Sequence, residues 1–127
     1  MAIVSGLLEI VVYVKDMQKQ VHFYRDVLGL PLRDLAGEAD FSRHFWVEFE
    51  TGACTLALHG GSEGRVGQDA PRIVFQVADV ETARHALVGN GIKMGQYRIA
   101  APGVKVCEGF DPEGNPFSIE SRQEVSV

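Results

Sequence analysis

The sequence predicts an α+β fold built from paired βαβββ modules, eight strands and two main helices in one compact domain. Two observations carry this. First, Glu9 to Leu30 reads as strand, cap, helix and stop. Glu9 to Val14 is a short β-branched run of strand character, and Asp16 offers a side-chain oxygen to the free N–H groups of a following helix. Met17, Val21, Tyr24 and Leu28 recur at helical spacing, and Gly29 stands where a left-handed backbone ends the helix. Second, the unit returns 63 residues later over Arg72 to Val88: Ile10 matches Ile73, Val11 Val74, Val14 Val77, Asp16 Asp79 and His22 His85. A repeat that carries both a strand pattern and a cap marks two copies of one unit. A pseudo-twofold axis between the copies makes Glu9 and Arg72 equivalent, each opening its strand on the same face.

The other elements follow in order. Pro31 to Ala36 is expected as a short strand, Gly37 to Arg43 as a loop, and His44 to Glu50 as a strand with alternating faces. Thr51-Gly52 is a turn and Ala53 to His59 the next strand. Residues 1–60 thus form the first module. The polar, glycine-rich stretch 61–71 reads as a linker: a phosphate cradle needs a helix directly after the glycines, and here a strand follows. Residues 72–127 form the second module. It has a strand from Arg72 to Ala78, a helix from Val80 to about Asn90, and strands over Lys93 to Ile99, Val104 to Phe110 and Pro116 to Ser121. The turns are Ala101-Pro102-Gly103 and Asp111 to Asn115, and the tail from Arg122 is expected to fray.

Composition narrows the function. Hydrophobic residues at 46% supply a core without metal or disulfide staples. A net charge of −5 and a pI near 5.3 argue against a nucleic-acid partner, which selects a basic face. Cys54 and Cys107 have neither metal-type spacing nor a visible base partner, so they read as reduced, unreactive thiols. The first residues lack the features of a secretory signal and no apolar run approaches a membrane span, so a cytoplasmic protein with no membrane partner is expected.

The helix segment H-F-Y-R-D-V-L-G-L, its copy after Arg72, and the closing D-P-E-G-N-P-F-S-I-E together resemble the vicinal oxygen chelate superfamily, from about Leu7 to Glu120. This group contains glyoxalase I, extradiol dioxygenases, and fosfomycin- and bleomycin-resistance proteins. The resemblance implies that each module curls its sheet into a half-barrel over a cavity, and it implies a homodimer. Most of the family's enzymes hold a divalent metal there through four strand positions. By motif these are Glu9, Leu56, Arg72 and Ser118 in this sequence.

Only Glu9 of the four ligates well. Leu56 has no donor atom, Arg72 stays cationic, and a neutral Ser118 is a weak ligand. No metal or other cofactor is therefore expected. A rebuilt site from Glu9, His59 and Glu120 is the alternative, although His59 lies on the opposite face from Leu56 by strand parity. In place of the metal, Glu9 and Arg72 are expected to form an ion pair, structural or ligand-binding, because either charge alone in a desolvated cavity is costly. Period-two counting from these anchors turns Val11, Tyr13, Cys54, Leu58, Val74, Gln76 and Glu120 inward. Trp46 and Phe49 either wall the cavity or join the core. The expected ligand-binding set is Tyr13, Trp46, Leu56, Gln76, Ser118 and Glu120, with solvent-facing roles for His22 and His85 and an unremarkable His44.

Two function classes remain. One is a metal-independent protein that binds a small organic ligand, as the bleomycin-resistance branch does. The other is a lyase or isomerase similar to glyoxalase I, with Glu9 as general base and Arg72, or a rebuilt metal site, stabilising the developing enolate.

Overall fold

The structure, a computed structural model, describes residues 8–61, 67 and 72–123. The expected linker 61–71 and the last four residues of the tail lie almost wholly outside the described residues. The chain divides into two compact units, Met1–Val66 and Gly67–Val127. Among the described residues there are eight strands in two mixed, open sheets, with two main helices.

In the first unit, β1 (Glu9–Tyr13) leads through Asp16 into α1 (Met17–Val21). The Asp16 carboxylate accepts the backbone N–H of Lys19 at 3.0 Å, the expected cap. The helix then widens into a π-helical segment, His22–Val27, in which Leu28 N–H reaches the Phe23 carbonyl five residues back. That widening seats Phe23 and Tyr24 side by side in the core with ring centroids 4.9 Å apart, a packing that a strict 3.6-residue period does not anticipate. Gly29, at φ +83°, ends it.

The sheet of this unit runs β1-β3-β2, with β3 (Thr55–His59) parallel to β1 and antiparallel to β2 (Trp46–Glu50). One face carries Val12, Val47, Phe49, Leu56 and Leu58, all buried, and Phe49 meets Tyr24 of the helical segment at 6.1 Å between centroids. The strand expected over Pro31 to Ala36 is reduced to one bridge, Leu32 opposite Phe49. Pro31 has no N–H to donate and Leu35 takes a left-handed backbone at φ 64°, so the ladder cannot lengthen.

The second unit repeats the plan. β4 (Ile73–Gln76) is followed by the Asp79 cap and α2 (Val80–Gly89), and β8 (Pro116–Arg122) lies parallel to β4 and antiparallel to β7 (Val104–Phe110). So β4, β8 and β7 reproduce β1, β3 and β2. The fourth strand differs again: the stretch expected over Lys93 to Ile99 is split into β5 (Lys93–Met94) and β6 (Arg98–Ala101), both on β7. Met94 faces Gly109 and Arg98 faces Val106, a slip of one residue that Gly95 to Tyr97 absorb. The count of eight strands thus stands, but as three plus five rather than four plus four. Arg122, expected in the tail, pairs with Val104 within β8.

The motif D-P-E-G-N is a turn held by one carboxylate. Asp111 Oδ1 accepts the backbone N–H groups of Glu113 and Asn115, each at 2.9 Å, and Oδ2 accepts Asn115 Nδ2 at 2.8 Å. Both Asp111 and Asn115 are buried, and Gly114 supplies the positive φ that closes the turn.

Candidate functional site

In each unit the helix covers one face of the sheet, which leaves the other face for chemistry. Residues opposite one another in a ladder share a face, so the register assigns every candidate. On the first unit, Glu9 faces Thr55, and Thr55 faces Glu50. The next row is Val11, Ala57 and Glu48; the last is Tyr13, His59 and Trp46. The face therefore grades from acidic at one end to aromatic at the other.

Leu56 is not on it. It pairs with Ile10, is 1% exposed and belongs to the helix-side core. Leu58 lies there too. The second unit shows which residue takes the place: Val74 faces Ser118, and the equivalent Val11 faces Ala57. The expected ligand-lining Leu56 is thus corrected to Ala57, one residue along, because in a run with every inner position buried the parity cannot be read from burial or hydrophobicity alone. The same shift brings His59 onto the face of Glu9, although sequence parity from Leu56 placed it opposite.

The aromatic end is well defined. The His59 ring lies 5.2 Å from that of Tyr13 and 5.8 Å, edge-on, from that of Trp46. Its Nδ1 is 2.8 Å from the Gly60 carbonyl; a carbonyl only accepts, so Nδ1 carries the proton. Trp46 Nε1 donates to Glu48 Oε1 at 2.7 Å, and Arg33 holds the other Glu48 oxygen at 3.0 Å and Glu50 at 3.6 Å. Tyr13 is 55% and Trp46 41% exposed, so neither is core. At the acidic end, Glu9 Oε1 is buried with no hydrogen-bond partner among the described residues.

On the second unit the corresponding face carries Val74 and Gln76 of β4, Ser118 and Glu120 of β8, and Val106 and Glu108 of β7. Gln76 faces Glu120 directly, while Ser118 is buried between Val74 and Glu108. A hollow of about 360 Å³ opens here, lined by Val74, Phe75, Gln76, Glu120 and Arg122. Val74, Gln76 and Glu120 were expected from the sequence; Arg122, assigned to the tail, was missed. Its Nε lies 2.5 Å from Glu120 Oε2. Arg72 finds its carboxylate inside its own unit, with Nη1 2.7 Å from Glu108 Oε1, and Arg98 approaches the same oxygen at 3.6 Å.

Three further residues are settled by their surroundings. His22 and His85 are exposed, His22 pairing with Asp26. Burial pushes the Cys107 thiol up, which keeps it protonated and a poor nucleophile. Among the described residues, no group of three or more His, Cys, Asp or Glu is placed to hold a metal ion. Glu9 and His59 stand at opposite ends of a five-residue ladder, about 13 Å apart along the strand at about 3.3 Å per residue. No helix among the described residues is long and apolar enough to cross a membrane.

Comparison with known proteins places these features. No curated protein matches the chain. Among solved structures, the fosfomycin resistance protein FosX from Listeria monocytogenes is 17% identical with a TM-score of 0.75, covering 95% of this chain and 96% of that one. TnmS3, an antibiotic binding protein from a Streptomyces species, is 18% identical with a TM-score of 0.75, covering 97% and 100%. Lactoylglutathione lyase from Agrobacterium tumefaciens is 22% identical with a TM-score of 0.68, covering 94% and 96%. At these identities the likeness is one of fold. The family model that matches residues 6–119 spans most of the sequence, and it makes this chain a member of the glyoxalase/bleomycin resistance protein/dioxygenase superfamily.

Proposed function

We propose that this chain binds a small organic molecule on its open sheet faces, as a cytoplasmic homodimer, without the divalent cation carried by most enzymes of the superfamily. The observation that carries the reading is the hollow of about 360 Å³ in the second unit. Its size suits a small ligand, and its lining sets apolar Val74 beside a convergent amide and acid–guanidinium couple from Gln76, Glu120 and Arg122. TnmS3, an antibiotic binding protein, shares the fold.

The donor set does not fit a metal. Of the four family positions, corrected for register to Glu9, Ala57, Arg72 and Ser118, one offers a carboxylate, one a methyl group, one a permanent cation and one a neutral hydroxyl. No step is therefore routed through a metal ion. The Glu9–Arg72 couple is not needed to explain the charge of Arg72, since Glu108 already answers it.

A second reading is a lyase or isomerase, as in the lactoylglutathione lyase that shares the fold. Glu9 favours it, as a carboxylate whose Oε1 is held out of water with no donor among the described residues, the group type a general base requires. Arg72 speaks against it, because a guanidinium committed to Glu108 at 2.7 Å is a weaker electrophile for an enolate.

A thermal-shift panel of aromatic amines, aromatic acids and acyl thioesters, run with a chelator present, separates the two together with a hemithioacetal isomerase assay. The binding reading expects at least one ligand to raise the melting temperature by mass action and no turnover. Turnover that survives in wild type and vanishes in Glu9→Gln would establish the enzyme instead.

A further inference from the structure

Large aromatic side chains leave water when a fold offers them a core, and three in the first unit do not: Tyr13, Phe45 and Trp46. Tyr13 and Trp46 stand 55% and 41% exposed on either side of His59, set in one row by the ladder with their rings tilted 47° and 81° to the imidazole. This end of the face differs from an ordinary apolar patch in its charge. The Trp46 indole N–H is anchored on Glu48, and Glu48 and Glu50 share a single guanidinium, that of Arg33. Two carboxylates against one cation leave the face negative from Glu48, in the row beside the aromatic one, to Glu50. The faces of the rings add to this, since an aromatic quadrupole presents negative charge to whatever stacks on it.

We propose that this aromatic row binds the ring system of an aromatic organic cation, which stacks against Tyr13 and Trp46 with its positive charge toward Glu48. The inference rests on the small-molecule reading above and names the ligand class for it. An uncharged ring would gain the stacking alone. An anionic one would meet both the ring faces and the carboxylates with the wrong sign.

Trp46 is the only tryptophan in the sequence, so its emission reports on the row directly. The experiment titrates the full chain with proflavine, an aromatic cation, and with acridone and anthracene carboxylate as neutral and anionic counterparts. Saturable quenching is expected, with proflavine tighter than acridone by about fivefold or more. Glu48→Gln should bring the two within about twofold, and Tyr13→Ala should weaken proflavine by about tenfold. Tyr13→Leu repeats the ring removal with the apolar volume kept, should the alanine variant unfold.

Equal or tighter binding of acridone or the carboxylate overturns the proposal, as does quenching that never saturates or ignores both Tyr13 variants. Trp46 emission that shifts with protein concentration in the absence of dye also overturns it, since a second copy of the chain would then cover the row. A ligand that raises the melting temperature while leaving Trp46 emission unchanged overturns this inference and leaves the small-molecule reading standing. If nothing in the panel shifts either signal, both fall.

Discussion

Glu9 stands opposite Thr55 across the parallel pair of β1 and β3, so Leu56 turns its side chain to the helix side of the sheet. That single-residue offset decides what lines the open face and what fills the core. Leu56 is 1% exposed, and truncating a leucine in such a place costs its transfer energy plus a cavity. Leu56→Ala is expected to lower stability by about 2–5 kcal/mol in urea denaturation while ligand affinity of the folded protein stays unchanged. A marked loss of affinity with little loss of stability would put Leu56 back on the ligand face.

Asp111 supplies acceptors to three donors, two on the backbone, inside a turn where it and Asn115 are buried. Asp111→Ala strands those donors, and each one left unsatisfied costs about 1–3 kcal/mol. Equilibrium unfolding should show a loss of at least about 2 kcal/mol, with Asp111→Asn less damaging because its amide oxygen still accepts. A neutral alanine variant would mean the turn holds itself by backbone alone.

The Arg72–Glu108 pair is short, at 2.7 Å, but both side chains are close to half exposed. Pairs in that setting contribute about 0–1 kcal/mol. Arg72→Ala should therefore cost no more than about 1 kcal/mol, and less in high salt. A loss several times larger would show the guanidinium to be compensating a buried charge.

The α2 cap carries a pH signature. The hydrogen bond from Thr82 Oγ1 at 2.6 Å is the main cause that holds the Asp79 carboxyl below its ordinary range, aided by the Glu81 N–H and opposed by desolvation. A carboxyl with a depressed folded-state value adds stability that is complete above its unfolded value and is lost as pH falls through the folded one. Asp79→Asn keeps a capping side chain and removes the charge. Its deficit against wild type should be constant above about pH 5 and shrink below about pH 4. A deficit that grows on acidification would contradict the assignment.

Most of this architecture is legible in the chain because local signals and the repeat agree. Asp16 and Asp79 announce their helices, Gly29 ends the first, and the matched strands Glu9–Tyr13 and Ile73–Gln76 give the repeated plan. Two things escape. The fourth strand of each copy depends on turn chemistry at Leu35 and on the slip between Met94 and Arg98, and neither leaves a period in the sequence. The site is harder still. Thr55–His59 is buried at four successive positions, so its two faces cannot be told apart until the ladder to β1 sets the register. Period-two counting put Tyr13, Gln76 and Glu120 on the face where the ladders have them, while the face of His59 waited on the pairing of β3 with β1.

The central claim is that the ligand faces work without a divalent ion, and calorimetric titration of zinc, nickel and manganese into chelator-treated protein tests it most directly. Only featureless, non-saturating heats are expected, with the melting temperature unmoved by any of the three. One equivalent bound with a sharp inflection, and a melting temperature that rises with it, would contradict the account.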